Sequence, residues 1–363
     1  MRICVFSERL AEPFDEGIKG YAWHLIRELR KAHDVLALTI FGRSSPEAGI
    51  RNVWGNKLLL SVPLARQVRR FRPELILYVP TACATPFSFW RARLLKLYGA
   101  GAPVVLVALQ VRRYGWIAQR VMPHLRPDLV LVQAERTRAS LAPLGCRLRL
   151  IPPGVDWERF RPATPERRAR LRQAYGIDPQ SYVLLHVGHL NRGRNVQALL
   201  PLQRPGQQVV VVGSTSTPQD EELVEELLRA GVKVIRGYVR DIAELYQLAD
   251  CYVFPVKGET SAIDLPLSVL EAMACDLPVV SMPFGGLATQ IQGESRAQLE
   301  AGQGLVYVED GSQLAEAVEA CKRLARAGTR EMVAPFAWPK VIPAILEGIC
   351  ADLGLARPGA AGG

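Results

Sequence analysis

At 363 residues, the chain exceeds one ordinary hydrophobic core and suits two α/β domains. Hydrophobic residues make up 49% and charged residues 22%, the balance of a soluble globular protein, and no apolar run approaches the ~20 residues of a membrane-spanning helix. Seven scattered cysteines without a CxxC pair read as buried thiols in a reducing cytoplasm, and five histidines at no ligand spacing argue against a metal site. The net charge of +10 is uneven: residues 1–150 hold 24 Lys+Arg against 10 Asp+Glu, leaving 21 against 25 for residues 151–363. A basic half beside a mildly acidic one implies an anionic partner for the first half. The sequence carries no zinc-finger or RNA-recognition signature, so an anionic membrane face or a phosphorylated lipid acceptor fits better than nucleic acid.

In chain order, the start Met1-Arg2-Ile3-Cys4-Val5-Phe6 is too short for a signal peptide and reads as a first strand. Further strands are expected at Val35–Ile40, Leu75–Val79, Val104–Ala108, Leu129–Gln133 and Leu148–Ile151. Helical periodicity falls between them at Tyr21–Lys31, Pro86–Lys96 and Ala134–Leu144. After Pro152-Pro153-Gly154 and a charged stretch from Trp157 to Arg172, the pattern restarts. Its strands are Tyr182–Val187, Val209–Val212, Lys233–Ile235, Cys251–Phe254, Pro278–Ser281 and Leu305–Tyr307. Within the second set, Thr217 suits a helix cap, with Pro218 at the first helical position and Asp220 completing a capping box. The pairs Leu223/Leu227 and Val224/Leu228 give that helix its apolar spacing. A last helix spans about Pro339–Leu353, followed by a small flexible tail.

Apolar runs without alternation are the mark of parallel strands covered on both faces, and strand–helix succession gives doubly wound sheets. The expected fold is therefore two Rossmann-like parallel-sheet domains facing across a cleft. Residues 1–160 form the first domain and 161–338 the second; if one grips a donor, the other faces it with an acceptor. A C-terminal helix over 339–355 returns to the first domain, and 356–363 form the tail.

Two residues stand out on chemistry alone. Glu271 is a lone carboxylate in an apolar helix, where a charge needs a partner. By itself it reads as a functional carboxylate, a helix-start carboxylate or one half of a buried salt bridge. Arg194 follows Gly193 at an expected helix start, where free N–H groups and a guanidinium favour an anion; the alternative is a solvated surface arginine. Arg192 is the fallback in another register.

The segment from Ile263 to Val280, IDLPLSVLEAMACDLPVV, resembles the donor signature of the retaining GT-B glycosyltransferases of family 4 (glycosyl transferases group 1). Gly188-His189-Leu190-Asn191-Arg192-Gly193-Arg194 resembles that family's G-R-L-x-x-x-K diphosphate clasp. Pro153-Gly154-Val155-Asp156 with Phe160 and Pro162 resembles its interdomain joint. Gly237-Tyr238 with Leu245–Asp250 resembles the stretch beside the nucleoside.

The resemblance implies a metal-independent transfer of a sugar, with retention, from a nucleoside-diphosphate sugar to a sugar or lipid-linked hydroxyl. Glu271 would hold the ribose and Arg194 the departing diphosphate, beside His189 and Arg192. Gly17, in the loop Asp15–Gly20 after the first strand, would lie near the diphosphate. Gly213 and Ser214 would let the backbone approach the nucleotide, Tyr238 and Val239 would flank the base, and Leu267 and Ser268 would complete the donor set. Gln110, Arg112 and Arg113 fall on the acceptor side.

The sequence also departs from the pattern. Ile263 stands where the first glutamate of the E-x7-E pair belongs, so the sugar contact shifts to Asp264 and its backbone, with Glu259 second. His189 replaces the clasp arginine, Gln110 a histidine, and Thr289 an acidic residue. A nucleotide-sugar-binding module without transfer, or an epimerase or phosphorylase on the same architecture, are the rival readings. Arginines interleaved with aromatics at Arg66–Arg72, Phe87–Lys96 and Arg112–Arg120 suit either a solvated face or attachment to the inner face of an anionic membrane.

Overall fold

The computed structural model describes residues 1–14, 16–214, 218–295 and 304–356. Asp15, Thr217 and the tail 357–363 therefore lie outside the described residues. The chain divides into one unit of Met1–Pro153 with Trp338–Gly363, and a second of Gly154–Ala337. The division precedes residue 160 because Val155 and Phe160 are buried in the core of the second unit.

The first unit begins with strand β1 (Arg2–Phe6), helix α1 (Gly17–Leu29), β2 (Asp34–Thr39), β3 (Ile50–Asn52) and α2 (Val62–Phe71). It continues with β4 (Leu75–Tyr78), α3 (Pro86–Tyr98), β5 (Val104–Ala108), α4 (Trp116–Val121), β6 (Leu129–Val132), α5 (Glu135–Leu141) and β7 (Leu148–Leu150). All seven strands are parallel, in the order β3-β2-β1-β4-β5-β6-β7. Every residue of β4, β5 and β6 is buried, as the unbroken apolar runs require. The short edge strand β3 escaped the sequence reading because two of its three residues, Arg51 and Asn52, are exposed and polar.

The second unit holds α6 (Pro165–Ala174), β8 (Tyr182–Gly188), β9 (Gln207–Gly213), α7 (Glu221–Arg229), β10 (Lys233–Ile235), α8 (Ala243–Leu248) and β11 (Cys251–Phe254). After these come α9 (Leu267–Ala274), β12 (Val279–Ser281), α10 (Leu287–Gln290), β13 (Glu294–Ser295), β14 (Leu305–Tyr307), α11 (Leu314–Cys321) and α12 (Thr329–Val333). The strand order is β10-β9-β8-β11-β12-β14-β13, again all parallel. Apolar clusters cover both faces. The final helix, α13 (Trp338–Leu353), belongs to the first unit, where Trp338 stacks on His24 at 5.3 Å and meets Tyr21 edge-on.

Two local expectations are corrected. Helix α7 is capped by Asp220, whose carboxylate accepts from the Leu223 amide at 3.1 Å, so Pro218 precedes the helix. Leu223, Val224 and Leu227 are buried, but Leu228 is exposed and pairs with nothing in the core. No α-helix begins after Gly193. Residues Arg192–Arg194 form a 3-10 turn that ends at Asn195 with φ 57°, and a second 3-10 stretch, Val196–Leu202, contains Pro201. The left-handed residue and the missing proline N–H prevent a continuous helix.

Helix α6 is fastened to the sheet by a buried charge. Arg172, 7% exposed, donates to the carbonyls of Leu248, Pro179 and Ser181 and to the carboxylate of Asp250. Asp250 also accepts from Arg168 and from the Val183 amide. Asp250→Ala would leave the Arg172 guanidinium without its counter-charge. A loss of about 3 kcal/mol is expected from breaking one side of a buried pair, measured by equilibrium denaturation.

Candidate donor site

In each sheet, winding reverses at one point, between β1 and β4 in the first unit and between β8 and β11 in the second. Loops leaving the carboxyl ends of two such strands diverge and open a crevice, the usual ligand position in parallel α/β sheets. In the second unit the loops after β8 and β11 are tied to each other. The Asn195 side-chain amide donates to the Pro255 carbonyl at 3.0 Å, and the Ser261 hydroxyl donates to the Gly193 carbonyl at 2.8 Å.

The turn after β8 sorts its two arginines. Arg192 is exposed and paired outward with Glu226 at 2.9 Å and Asp220 at 3.7 Å. Arg194 folds back over the strand end: a Cβ placed on Gly188 would meet its Nη1 at 2.9 Å. Glycine at 188 is thus what lets the guanidinium lie against the end of β8. The Arg194 amide is held by the Asn191 side chain at 3.0 Å, so in this turn the charge comes from the side chain and not from a helix start. His189 is partly buried in the same turn.

The same point over Gly188 lies 3.2 Å from Nε2 of His186, a residue the sequence reading passed over. His186 is fully buried in β8 and its Nδ1 binds the Val253 carbonyl at 2.9 Å. A carbonyl only accepts, so the proton sits on Nδ1 and Nε2 offers a lone pair. Nε2 has no hydrogen-bond partner among the described residues. Burial, with a smaller contribution from the Arg194 charge, pushes the imidazole down to about 4, so it is neutral near pH 7. A histidine two residues before the strand-ending glycine was the available signal.

Glu271, in the second turn of α9, is partly buried. Its Oε2 accepts from the Tyr246 hydroxyl at 2.8 Å, and its Oε1 has no hydrogen-bond partner among the described residues. Burial raises its pKa to about 7, against the lowering effects of the Tyr246 hydrogen bond and the Arg159 charge. A buried salt bridge is therefore not its role, since the contact partner is a neutral phenol. Tyr246 packs at 5.8 Å from Tyr252, whose hydroxyl donates to the Val187 carbonyl at 3.3 Å. This aromatic line links Glu271 to the end of β8. Neither tyrosine was singled out from sequence, because both read as core residues.

Helix α9 starts at Leu267 and Ser268 after Pro266, with no side-chain cap. The Val269 amide donates to the Pro266 carbonyl at 3.2 Å, so the Leu267 and Ser268 amides are the donors this helix start leaves. Tyr238 and Val239 line an open cavity of about 670 Å³ with Arg159, Tyr175, Arg240, Asp241 and Glu244. Arg159 spans it to Asp241 at 3.3 Å.

Other expected residues are placed differently. Gly213 ends β9 opposite Gly188, but the space above it is filled: a Cβ there would meet Leu190 Cδ1 at 2.7 Å. Its smallness serves packing. The Ser214 amide donates to the Gly188 carbonyl at 3.2 Å. Asp264 is fully buried, and its carbonyl accepts from the Gly286 amide at 2.9 Å. Glu259 is exposed, on the loop that Ser261 ties to Gly193. Ile263 is also buried. Thr289 is in α10 with its hydroxyl on the Gly286 carbonyl.

In the first unit, Gly17 is the first residue of α1 and Gly20 is inside it, so the expected glycine loop is a helix start. Gln110 is partly buried after β5 with Arg112 Nη2 at 3.5 Å, and Arg113 is exposed. Among the described residues, no three His, Cys, Asp or Glu side chains gather as metal ligands would, and no helix is long and apolar enough to cross a membrane.

Two family models match the chain, one to each unit: Glycosyltransferase Family 4 over residues 16–159 and Glycosyl transferases group 1 over residues 181–323. Sulfoquinovosyl transferase SQD2 of Arabidopsis thaliana is 26% identical over 79% of this chain and 60% of its own length. The D-inositol 3-phosphate glycosyltransferase of Geodermatophilus obscurus is 31% identical over 55% of this chain and 46% of its own. The chain thus spans about half the length of the curated relatives it matches. Among solved structures, Anabaena HepE in complex with UDP is similar at a TM-score of 0.76, with 18% identity over 97% of this chain and 100% of that one. The same protein in complex with UDP-glucose gives 0.75, with 18% identity over 96% of this chain and 99% of that one. Two Rossmann-like units in this likeness are the GT-B fold, and with a model of the family matched to each unit, the chain belongs to the group 1, family 4 glycosyltransferases.

Proposed function

We propose that the protein transfers a sugar from a nucleoside-diphosphate sugar to a hydroxyl acceptor, with retention and without a metal ion. One observation carries the reading: Glu271 keeps a free carboxylate oxygen in the same unit in which Gly188 lets Arg194 lie over the strand end. A carboxylate that accepts from both hydroxyls of a ribose would be anchored by Tyr246 from behind. The base would then occupy the cavity at Tyr238 and Val239, and the diphosphate would meet the open amides of α9 and the Arg194 guanidinium. The UDP and UDP-glucose held by HepE support a nucleotide-sugar donor, and the relatives named sulfoquinovosyl transferase and D-inositol 3-phosphate glycosyltransferase support transfer of a glycosyl group.

In the reaction, the bond from the sugar's anomeric carbon to the diphosphate oxygen breaks and its electron pair leaves with the diphosphate. Arg194 and the α9 amides offset that developing charge, the main electrostatic cost of the step. The acceptor oxygen bonds to the anomeric carbon from the face the diphosphate leaves, and its proton passes to a departing phosphate oxygen. No protein nucleophile is needed. The acceptor would be a sugar or lipid-linked glycan hydroxyl on the side of Gln110, Arg112 and Arg113. The basic first unit suits a lipid-linked acceptor at the cytoplasmic face of an anionic membrane.

A panel of UDP-, GDP- and ADP-sugars tests the reading directly. One donor should be slowly hydrolysed, with a chelator making no difference. Interconversion of sugars would mean an epimerase, and binding without turnover a non-catalytic module. Arg194→Ala is expected to lower kcat by about 100-fold, the scale for removing one donor to a developing anion, with a far smaller change in donor Kd.

Donor affinity should also depend on pH. A carboxyl with a pKa of about 7 is half protonated there, and the protonated form loses acceptor capacity for ribose. Affinity should therefore rise from pH 6 to 8 and then level off. Glu271→Gln should flatten that profile, and Glu271→Ala should weaken donor binding by about 100-fold, the equivalent of two charge-assisted hydrogen bonds, in calorimetric titration. The sign for stability is opposite: the raised pKa stabilises the fold below about 4.5, and that contribution is lost as pH rises through about 7.

A further inference from the structure

The first unit carries an outward apolar surface that nothing in the donor chemistry uses. The loop between β3 and α2 holds it most rigidly. Asn56 Oδ1 accepts from the Leu58 and Leu60 amides, at 3.1 and 3.0 Å. Leu59 takes a left-handed φ of 65° and is fully buried, which turns Leu58 and Leu60 out on either side of it. Trp54 is 72% exposed, and Val62, at the start of α2, is exposed as well. Helix α3 clamps this loop through three contacts. Trp90 Nε1 donates to the Leu58 carbonyl at 3.0 Å, Arg91 donates to the Lys57 carbonyl, and the Tyr98 hydroxyl donates to the Leu59 carbonyl at 2.8 Å.

Helix α3 itself exposes Phe87, Trp90 and Leu97, positions spaced along one side of a helix. The Tyr114 hydroxyl, on the Ala84 carbonyl at 3.0 Å, ties the start of α3 to the segment before α4. That six-residue helix has no buried residue, and Trp116, 76% exposed, lies beside exposed Ile117. Single exposed apolar residues are ordinary, but three hydrogen-bonded segments that all present them are not.

Charge decides what covers this surface. Residues 54–121 contain eleven Lys and Arg, two of them paired with acids from outside the segment (Arg91 with Glu8, Lys96 with Asp128), but a single acid, Glu74, and Glu74 is engaged with the Arg2 amide at 2.7 Å. We propose that the surface formed by the Trp54–Val62 loop, α3 and α4 docks on an anionic phospholipid bilayer, with tryptophans at the headgroup level and Leu58, Leu60 and Ile117 reaching the acyl boundary. Indoles belong at that depth, aliphatic tips gain by leaving water, and the flanking arginines meet lipid phosphate. Nucleic acid would attract the same charge, but exposed leucine, isoleucine and valine offer it no stacking. The docking concerns the first unit alone and does not depend on the donor chemistry proposed for the second.

Flotation of the full chain with phosphatidylcholine vesicles, with and without phosphatidylglycerol, tests the proposal. Binding should require the anionic lipid and fall at high salt. The pairs Leu58→Ser with Leu60→Ser, and Trp116→Ser with Ile117→Ser, should each weaken vesicle partitioning by about tenfold or more, as loss of buried apolar area requires. Both pairs are exposed, so donor turnover in free solution should stay at the parent level. The proposal is overturned if the parent chain does not float with anionic vesicles at low salt. It also fails if both double variants float like the parent, or if duplex DNA or single-stranded RNA binds more tightly than the vesicles. Flotation uses no donor, so absence of any sugar transfer would count against the function proposed above and leave this result intact.

Discussion

The reversal of winding between β8 and β11 is the constraint on which the donor site depends. Strands on either side of it send their connections to opposite faces, so the loops leaving their carboxyl ends separate. Left alone, two such loops would be mobile. Here Asn195 and Ser261 bind the backbone across the gap, and the Gly193 and Pro255 carbonyls are their anchors. The crevice is thus open by topology and rigid by hydrogen bonding. Arg194 depends on both conditions, because its position over Gly188 exists only while the turn after β8 keeps its shape.

Electrostatics then divides the site into two ends. At one end the guanidinium of Arg194 lies over a neutral imidazole, because burial keeps His186 unprotonated and spares the site a second cation. At the other, Glu271 sits in surroundings so apolar that its pKa reaches about 7. A poorly solvated carboxylate would gain more from two hydroxyl donors than a surface carboxylate would, since water does not compete for it. The Tyr246 hydroxyl supplies part of the missing solvation and fixes which oxygen remains open. Cost and selectivity therefore have the same origin in the burial of α9.

Most of the strand positions were legible because parallel strands buried on both faces leave runs such as Val104–Ala108 and Cys251–Phe254 that no helix period explains. Edge strand β3 was not, since its polar residues face water. Glu271 could be found as a charge out of place, and Arg194 as a charge beside a glycine. What supports them could not. Tyr246, Tyr252 and His186 look like core residues, and their function arises from contacts across the chain, 25 residues apart for Tyr246 and Glu271 and 67 for His186 and Val253. The helix expected after Gly193 failed at Asn195, where a left-handed residue ended the turn before any dipole could build. Around the sugar contact expected at Asp264 or Glu259, the chain buries both Ile263 and Asp264 and leaves Glu259 exposed.

The two units resemble each other in winding, yet the gap at the reversal point is held differently in each. In the first unit that place belongs to Glu8, 3% exposed, and both its oxygens are taken. Tyr78 and Arg91 bind one, and the Thr81 amide binds the other at 2.9 Å. Glu8 closes the gap between β1 and β4 as a structural clasp, and Arg91 carries the tie onward to the Lys57 carbonyl and the exposed loop. In the second unit the corresponding closure is made by neutral side chains, Asn195 and Ser261. Thus the same topology is closed by a buried carboxylate in one unit and by an amide and a hydroxyl in the other.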